Sequence, residues 1–561
     1  MRFIGGACHC VAHPYFNSRK GMGVMWRTGF IVGVLWLGLL VAPISAQDVS
    51  DQVEAETYWW NDRVFYEIFV RSFADSDGDG IGDLQGVISK LDYLNDGDPT
   101  TTDDLGVTGI WLMPIMESPS YHGYDVTDYL RVEPDYGTNE DFKALIAAAH
   151  ERGIAVIIDL VLNHTSREHP WFRDAQTRGS QHDSWYRWSL TKPSQRGPWG
   201  QPEIWYPANG RYYYAVFWDG MPDLNLKNPA VTQAMYNVAG YWLEEMGVDG
   251  FRMDAVRYYT EDGDVLASAD STFTWLKFWN AYIDSINPDA FTVGEIWTNT
   301  IEVSKYVQNG VDSAFEFDLA RAMLDAAKNG SNLGIGPIQG RAERLLPEGQ
   351  YSTFLTNHDQ NRVMNEMGQN SDKAKVAASL LLTAPGVPFL YYGEEIGMIG
   401  VKPDECIRTP MQWDGTEGES AFMAGKRCET NGATHNVAAQ LDDPESLLSH
   451  YRNLIRLRHE QAALRVGDFH LVGSEADTVY SYLRTRGDER VLVIINLGGQ
   501  PIQDYALKLD SGNLSNPVQA ELLFGEGSVS SPMIDIAGGF DGYLPVAELA
   551  PYSTYVIALE G

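Results

Sequence analysis

Uninterrupted apolar runs recur along the chain, each followed by a stretch whose apolar side chains return every three or four positions. Val64 to Val70 (VFYEIFV), Gly109 to Ile115 (GIWLMPI) and Ala155 to Leu162 read as the first three buried strands. Between the second and third, Phe142, Leu145, Ile146 and Ala149 fall at helical spacing, and Gly153 stops that helix. Strands apolar on both faces and separated by helices predict a parallel sheet covered by helices. The alternation returns with a helix from Pro229 to Met246, whose proline suits a first turn. It continues through a strand at Gly250 to Val256, a helix around Phe273 to Ile286, and strands at Phe291 to Trp297, Ala314 to Asp318, Tyr351 to Asn357 and Pro388 to Tyr392. Eight strands alternating with helices are the count of an α/β fold of the (β/α)8 barrel type, which the helix Leu447 to Arg458 closes.

Two stretches break this rhythm. From Thr165 to Asn225 periodicity is weak and aromatic residues are dense, as expected of a subdomain inserted after strand three. Beyond Gly467 the pattern becomes short alternating strands, such as Val479 to Leu483 and Val491 to Asn496, with glycine-rich turns. The predicted organisation is therefore a barrel over 58–163 and 227–462, an inserted domain over 164–226, and a C-terminal antiparallel β-sandwich over 463–561.

The first 46 residues read as an address. Lys20 and Arg27 precede an apolar run from Phe30 to Leu40, and small residues from Ala42 to Ala46 follow, the order of a secretory signal cleaved after Ala46. Met22 or Met25 is an alternative initiator, and an uncleaved membrane anchor is the alternative fate of the segment. The run is shorter than the roughly 20 residues of a spanning helix. Cys8 and Cys10 fall within the segment expected to be lost, whereas Cys406 and Cys428 remain, either as a disulfide or as two buried thiols. The net charge of −35, without a basic block, argues against a nucleic-acid partner. A secreted, extracellular monomer is the expectation, with a periplasmic or cell-surface location as the alternative and membrane contact only if the N-terminal segment is retained.

Asp75-Ser76-Asp77-Gly78-Asp79-Gly80-Ile81-Gly82-Asp83 places acids at positions one, three, five and nine with Gly80 at six, the spacing by which an EF-hand loop wraps Ca2+. Gly86 stands where an EF-hand has its bidentate Glu. Carboxylates this close repel unless a cation sits among them, so Asp75, Asp77, Asp79 and Asp83, with the Ile81 carbonyl, are candidate Ca2+ ligands.

Barrel enzymes carry their reacting groups at the C-terminal ends of the strands. By this reading His164 follows strand three, Arg252 and Asp254 lie on strand four, Glu295 follows strand five, and His358 and Asp359 follow strand seven. Residues two apart on a strand face the same way, so Arg252 stands beside Asp254 and favours its ionised form. Glu295 lies among Val293, Ile296 and Trp297, neighbours that favour a protonated acid. An ionised carboxylate, a protonated one and a third fixed acid are what glycoside cleavage requires, with His164 and His358 able to bond sugar hydroxyls.

These segments resemble glycoside hydrolase family thirteen, the α-amylase family. The matching stretches are Asp159 to His164 (DLVLNH), Gly250 to Val256 (GFRMDAV), Gly294 to Trp297 (GEIW) and Phe354 to Asp359 (FLTNHD), in the family's order. The resemblance implies Asp254 as nucleophile, Glu295 as acid/base and Asp359 as transition-state stabiliser. It adds His122 and Tyr124 to His164, Arg252 and His358 as groups around the cleavage-site sugar. Met221 to Asn225 (MPDLN) resembles a group intermediate between oligo-1,6-glucosidases and neopullulanases, in which secreted α-amylases are common; the Asp75 to Asp83 loop is similar to its metal loop. Tyr121 stands where exo-acting relatives carry an acid, which implies internal cleavage. Ala255 stands where α-1,6-selective relatives tend to have Val, which implies α-1,4 bonds. Arg257-Tyr258 replaces the Lys-His of many α-amylases and removes a ligand of the family's second calcium site. The resulting expectation is a secreted α-amylase acting on starch, glycogen and maltooligosaccharides. The alternatives are an α-glucosidase, neopullulanase or transglycosylase on the same residues, or a non-enzymatic membrane-anchored subunit resembling amylase-like transporter chains.

Overall fold

The computed structural model describes residues 58–416, 421–423 and 427–561. The segment read as a signal sequence, with Cys8 and Cys10, lies outside the described residues. Among the described residues, no helix is long and apolar enough to cross a membrane.

Eight parallel strands form one sheet: β1 (Phe65–Ile68), β2 (Gly109–Leu112), β3 (Ala155–Leu160), β4 (Gly250–Met253), β5 (Phe291–Gly294), β6 (Ser313–Ala314), β7 (Ser352–Phe354) and β8 (Val387–Tyr391). Their order is β6-β5-β4-β3-β2-β1-β8-β7. The two ends meet through a parallel bridge between Phe315 and Ser352, and the Glu316 N–H donates to the Ser352 carbonyl at 3.0 Å. The barrel is thereby nearly closed on itself. Strand six is shorter than its apolar run suggests, because the chain turns into a helix at Phe317 (Phe317–Asn329) directly after that closing bond.

The helices between strands follow from local signals. Asn139–Glu151 starts at a reciprocal cap between Thr138 and Asp141 and buries Phe142, Leu145, Ile146 and Ala149 against the sheet. Pro229–Gly240 starts behind the Asn228 cap, then widens into a π turn over Tyr241–Glu245, where the Trp242 indole donates to the Tyr129 carbonyl at 2.8 Å. Close strand approach fixes Gly250: a Cβ there would lie 2.0 Å from the Phe291 carbonyl oxygen of the adjacent strand.

Between β3 and the Pro229 helix, the chain forms a three-stranded antiparallel sheet from Trp188–Ser189, Trp205–Ala208 and Arg211–Tyr214. The C-terminal strands β9 (Asp468–Ser474), β10 (Val479–Arg486), β11 (Glu489–Asn496), β12 (Leu507–Leu509), β13 (Gln519–Phe524), β14 (Phe540–Tyr543) and β15 (Thr554–Glu560) make one antiparallel sheet in the order β13-β15-β11-β10-β9-β12-β14. It curls into half a barrel over its own apolar core of residues such as Leu483, Leu492, Ile494, Tyr505 and Ile557. Buried Arg484 ties β10 to the barrel by donating to the Thr383 carbonyl at 3.0 Å.

Candidate active site

Alternation along the barrel strands stacks inward-facing side chains in tiers. Phe65, Trp111, Ile157, Phe291, Phe315 and Phe389 fill the lower tier, with the Phe65 and Phe389 rings stacked at 4.6 Å. Two residues further along, the inward positions become Glu67, Asp159 and Arg252, and register places Arg252 opposite Asp159 on one side and Val293 on the other. Asp254 and Glu295 come next, at the C-terminal mouth. An aromatic floor thus carries a charged layer, and the Arg252 guanidinium lies 5.3 Å from the Trp111 ring centroid.

Arg252 is the hub of that layer. Its Nη1 donates to Asp254 Oδ1 at 2.7 Å and to Asp159 Oδ1 at 2.8 Å, while Nη2 pairs with Glu295 Oε2 at 3.0 Å. The sequence paired Arg252 with Asp254 alone; one guanidinium in fact serves three buried carboxyls. Each carboxyl disfavours ionisation of the others, and one cation offsets this only in part. Burial, opposed by Arg252, pushes Glu295 up to about 7 and Asp159 up to about 7. Burial also raises Asp254, against the pull of Arg252. Protons are therefore shared within the cluster, and Glu295 carries one near neutrality, as its apolar neighbours led us to expect. The Ala255 N–H also holds Glu295 Oε2, at 3.0 Å, from a left-handed turn at φ +51° directly after Asp254.

Asp359 is set apart electrostatically. Burial acts upward on its carboxyl, yet the surrounding positive charge lowers it. His358 cannot supply that charge, because burial holds the imidazole well below its ordinary value and hence neutral. Arg408 supplies it, with Nη2 at 2.9 Å from Asp359 Oδ1. His358 is fully buried: Nδ1 meets Glu67 Oε1, and Nε2 lies 2.7 Å from the Tyr124 hydroxyl and 3.3 Å from Asp359 Oδ2. Tyr124 donates on to Asp159 Oδ2 at 3.0 Å. The chain Glu67–His358–Tyr124–Asp159–Arg252 therefore links the acids of β1 and β3 to the Arg252 hub beneath the mouth.

Above it lies a cavity of about 270 Å³ lined by His122, Tyr124, His164, Phe217, Trp218, Met221, Asp254, Glu295, Asp359, Asp404 and Arg408. The structure thus gathers His122, Tyr124, His164, Asp254, Glu295 and Asp359 around one space, with Arg252 and His358 behind the wall. Burial lowers His164 to about 4, and its Nε2 bonds the Tyr124 carbonyl at 3.2 Å. Arg408, Glu67 and the Asp159–Arg252 contact were not anticipated. Glu67, an acid inside VFYEIFV, was a usable signal; Arg408 was not, because it sits in irregular chain. A disulfide joins Cys406 to Cys428, with Cα atoms 5.0 Å apart, and so anchors the segment that presents Arg408.

The acidic loop is separate from the cavity lining. Carboxylate oxygens of Asp75, Asp77 and Asp83 lie within 4.8 Å of one another, whereas Asp79 accepts the Ile81 N–H at 2.8 Å. Asp75 accepts the Gly78 and Gly80 N–H groups at 2.7 and 2.8 Å, and Gly80 has φ +91°, which makes the tight wrap possible. Three convergent carboxylates are a donor set suited to a hard, oxygen-seeking cation.

Comparison with known proteins agrees with this geometry. The family profile described as "Alpha amylase, catalytic domain" matches residues 67–467. Alpha-amylase 3 of Dictyoglomus thermophilum is 41% identical over 445 residues, covering 78% of this chain and 85% of that protein. An oligo-1,6-glucosidase of Halalkalibacterium halodurans is 31% identical over 532 residues, covering 80% and 92%. A crystal structure of an α-amylase from H. orenii is similar at a TM-score of 0.78 and 42% identity, covering 89% of this chain and 99% of that one.

Proposed function

Because the chain belongs to the α-amylase family of glycoside hydrolases, we propose that it cleaves internal α-1,4-glucosidic bonds of starch and related glucans with retention of configuration. The observation that carries this reading is the sharing of Arg252 between Asp254 and Glu295, with Asp359 kept ionised by a different arginine. In the first step the Glu295 proton passes to the leaving glycosidic oxygen as an Asp254 oxygen bonds to the anomeric carbon. Asp359 stabilises the positive charge that develops on the ring. In the second step water attacks that carbon, its proton returns to Glu295, and the bond to Asp254 breaks. The 41% identity to an α-amylase over 78% of the chain supports an enzyme over a non-enzymatic transporter subunit.

Internal cleavage is supported by Tyr121. Its ring stacks on Phe422 at 4.7 Å and faces Arg408 at 5.9 Å, at the position where the family resemblance implies an acid in exo-acting members. Similarity to an oligo-1,6-glucosidase favours a second reading, exo-cleavage of short oligosaccharides. Product analysis on amylose separates them: we expect a spread of maltooligosaccharides at early times, and glucose as the sole product would favour the exo enzyme.

Calcium at Asp75, Asp77 and Asp83 serves stability, holding a loop that ends in the Asp83 cap of the helix Leu84–Ser89. Chelation is expected to lower the melting temperature and release about one calcium per chain; an unchanged melting temperature with no calcium released would contradict this. Secretion is supported by the order of charged, apolar and small residues before Gln47 and by the Cys406–Cys428 disulfide. N-terminal sequencing of enzyme recovered from the medium should begin at or near Gln47, and an intact hydrophobic segment would contradict it.

A further inference from the structure

The end of the barrel opposite the mouth carries a groove built from two adjoining cavities. One, of about 420 Å³, lies between the loop 95–105 and the last turns of the helix Leu447–Glu460. The other, of about 490 Å³, is lined by Trp59, Arg63, His150, Asp249 and Asp289, and the two share Gly153. Gly106 and Thr108 precede β2, Gly153 precedes β3, Asp249 precedes β4 and Asp289 precedes β5, so the groove lies at the N-terminal ends of the strands. The six residues of β3 set it roughly 20 Å from the acids of the mouth. Arg63 joins the two cavities, with Nη1 donating to the Gly153 carbonyl at 2.7 Å and the Thr108 carbonyl at 3.3 Å. The Trp59 indole donates to the Asp289 carbonyl at 2.7 Å, and this bond fixes its ring in the wall.

Residues at this end of a barrel ordinarily serve stability. Two charged side chains of the groove do not. Arg456 and Glu460 stand one helical turn apart, the spacing at which opposite charges pair, yet neither has a hydrogen-bond or ion-pair partner among the described residues. Arg452, only 5% exposed, leaves its Nε without a partner, although its Nη atoms reach the Leu441 and Asp103 carbonyls. His459 Nε2 lies 2.9 Å from the Gly106 carbonyl, so loop and helix are joined before anything binds. The mixture of charges selects the ligand. Asp98, Asp104 and Glu460 oppose an anion, and Arg152, Arg452 and Arg456 oppose a cation. A sugar hydroxyl is neutral and both gives and accepts hydrogen bonds, so it suits both sets. Each cavity is larger than the catalytic one, which gives room for linked sugars.

We propose that this groove binds a stretch of α-glucan separate from the one being cut, and so keeps the enzyme on the polymer between cleavages. The inference rests on the glucan-hydrolase reading, because only a polymeric substrate offers chain to both ends of the barrel.

Hydrogen exchange on the full Glu295→Gln enzyme, with maltoheptaose as the probe, tests the site without digesting the ligand. Peptides covering 95–106 and 452–460 should be protected together with those of the mouth. Adding Arg456→Gln should reduce the first protection and leave the second. In the otherwise wild-type enzyme, Arg456→Gln and Glu460→Gln are each expected to weaken adsorption to granular starch about tenfold, the worth of one hydrogen bond to a charged group. The ratio of rates on granular starch and on 4-nitrophenyl α-maltotrioside should fall with it. Melting curves identify a variant that has unfolded, and the other then carries the comparison. Protection confined to the mouth, or adsorption unchanged in the folded variants, would overturn the groove and leave the hydrolase reading intact. Protection of these peptides by inorganic phosphate and not by maltoheptaose would overturn it in favour of an anion site. A wild-type enzyme that cleaves neither starch nor the maltotrioside would refute the hydrolase reading first, and the groove with it.

Discussion

Glu295→Gln is expected to lower kcat on starch by about 10²–10⁴-fold, the usual worth of a positioned acid. The amide keeps an oxygen for the Ala255 N–H, so the fold around the site is preserved while the transferable proton is lost. The loss should depend on the leaving group. On a maltosyl fluoride, whose departure needs little protonation, the first step of the variant should proceed far faster than on starch, and added azide should then accelerate turnover by replacing the activated water. The pH dependence gives a second check. Glu295 must be protonated to act, and burial places it at about 7. The acid-dependent step is therefore available below that value and lost as pH rises through it; Glu295→Gln should lack this alkaline limb. Near-normal starch hydrolysis by the variant would end the assignment.

Arg252→Met is expected to damage both stability and catalysis. Met keeps the unbranched stem of the side chain, but the substitution leaves Asp159, Asp254 and Glu295 buried without their shared cation. Breaking a buried pair by removing one partner costs about 3–5 kcal/mol, which for a protein of marginal stability is a large fraction of the total. The remaining carboxyls escape part of that cost by protonating. That escape removes the nucleophile, since a protonated Asp254 cannot attack. A drop in melting temperature that eases as pH falls, together with loss of activity where the protein remains folded, is the expected pattern. Unaltered stability between pH 5 and 8 would show that the three carboxyls do not depend on Arg252.

The barrel strands were legible because each is apolar on both faces, one toward the lower aromatic tier and the other toward the helices. Arg252 and Asp254 were legible together because alternation within one strand is a local rule. The partners of Arg252 on other strands were not, because register between β3, β4 and β5 decides whether Asp159 or a neighbour faces the guanidinium. His358 illustrates the same limit: read as a group for sugar hydroxyls, it lies behind the wall, spanning Glu67 and Tyr124. Arg408 comes from a loop with neither periodicity nor a spacing rule, and only the three-dimensional approach to Asp359 reveals it. The Asp75 to Asp83 spacing indicated a cation loop, and carboxylates of Asp75, Asp77 and Asp83 converge in it. Strand six ended early because a single backbone bond to Ser352 closes the sheet before the apolar run ends.

The most direct test concerns Asp254. Incubation with a fluorinated maltosyl fluoride, whose electron-poor ring slows the second step, should inactivate the enzyme as one sugar becomes attached per chain. Digestion and mass spectrometry are expected to locate that sugar on Asp254. A sugar attached to Asp359 or Glu295, or turnover that releases the inverted anomer with no covalent species, would contradict the assignment of Asp254 as the nucleophile.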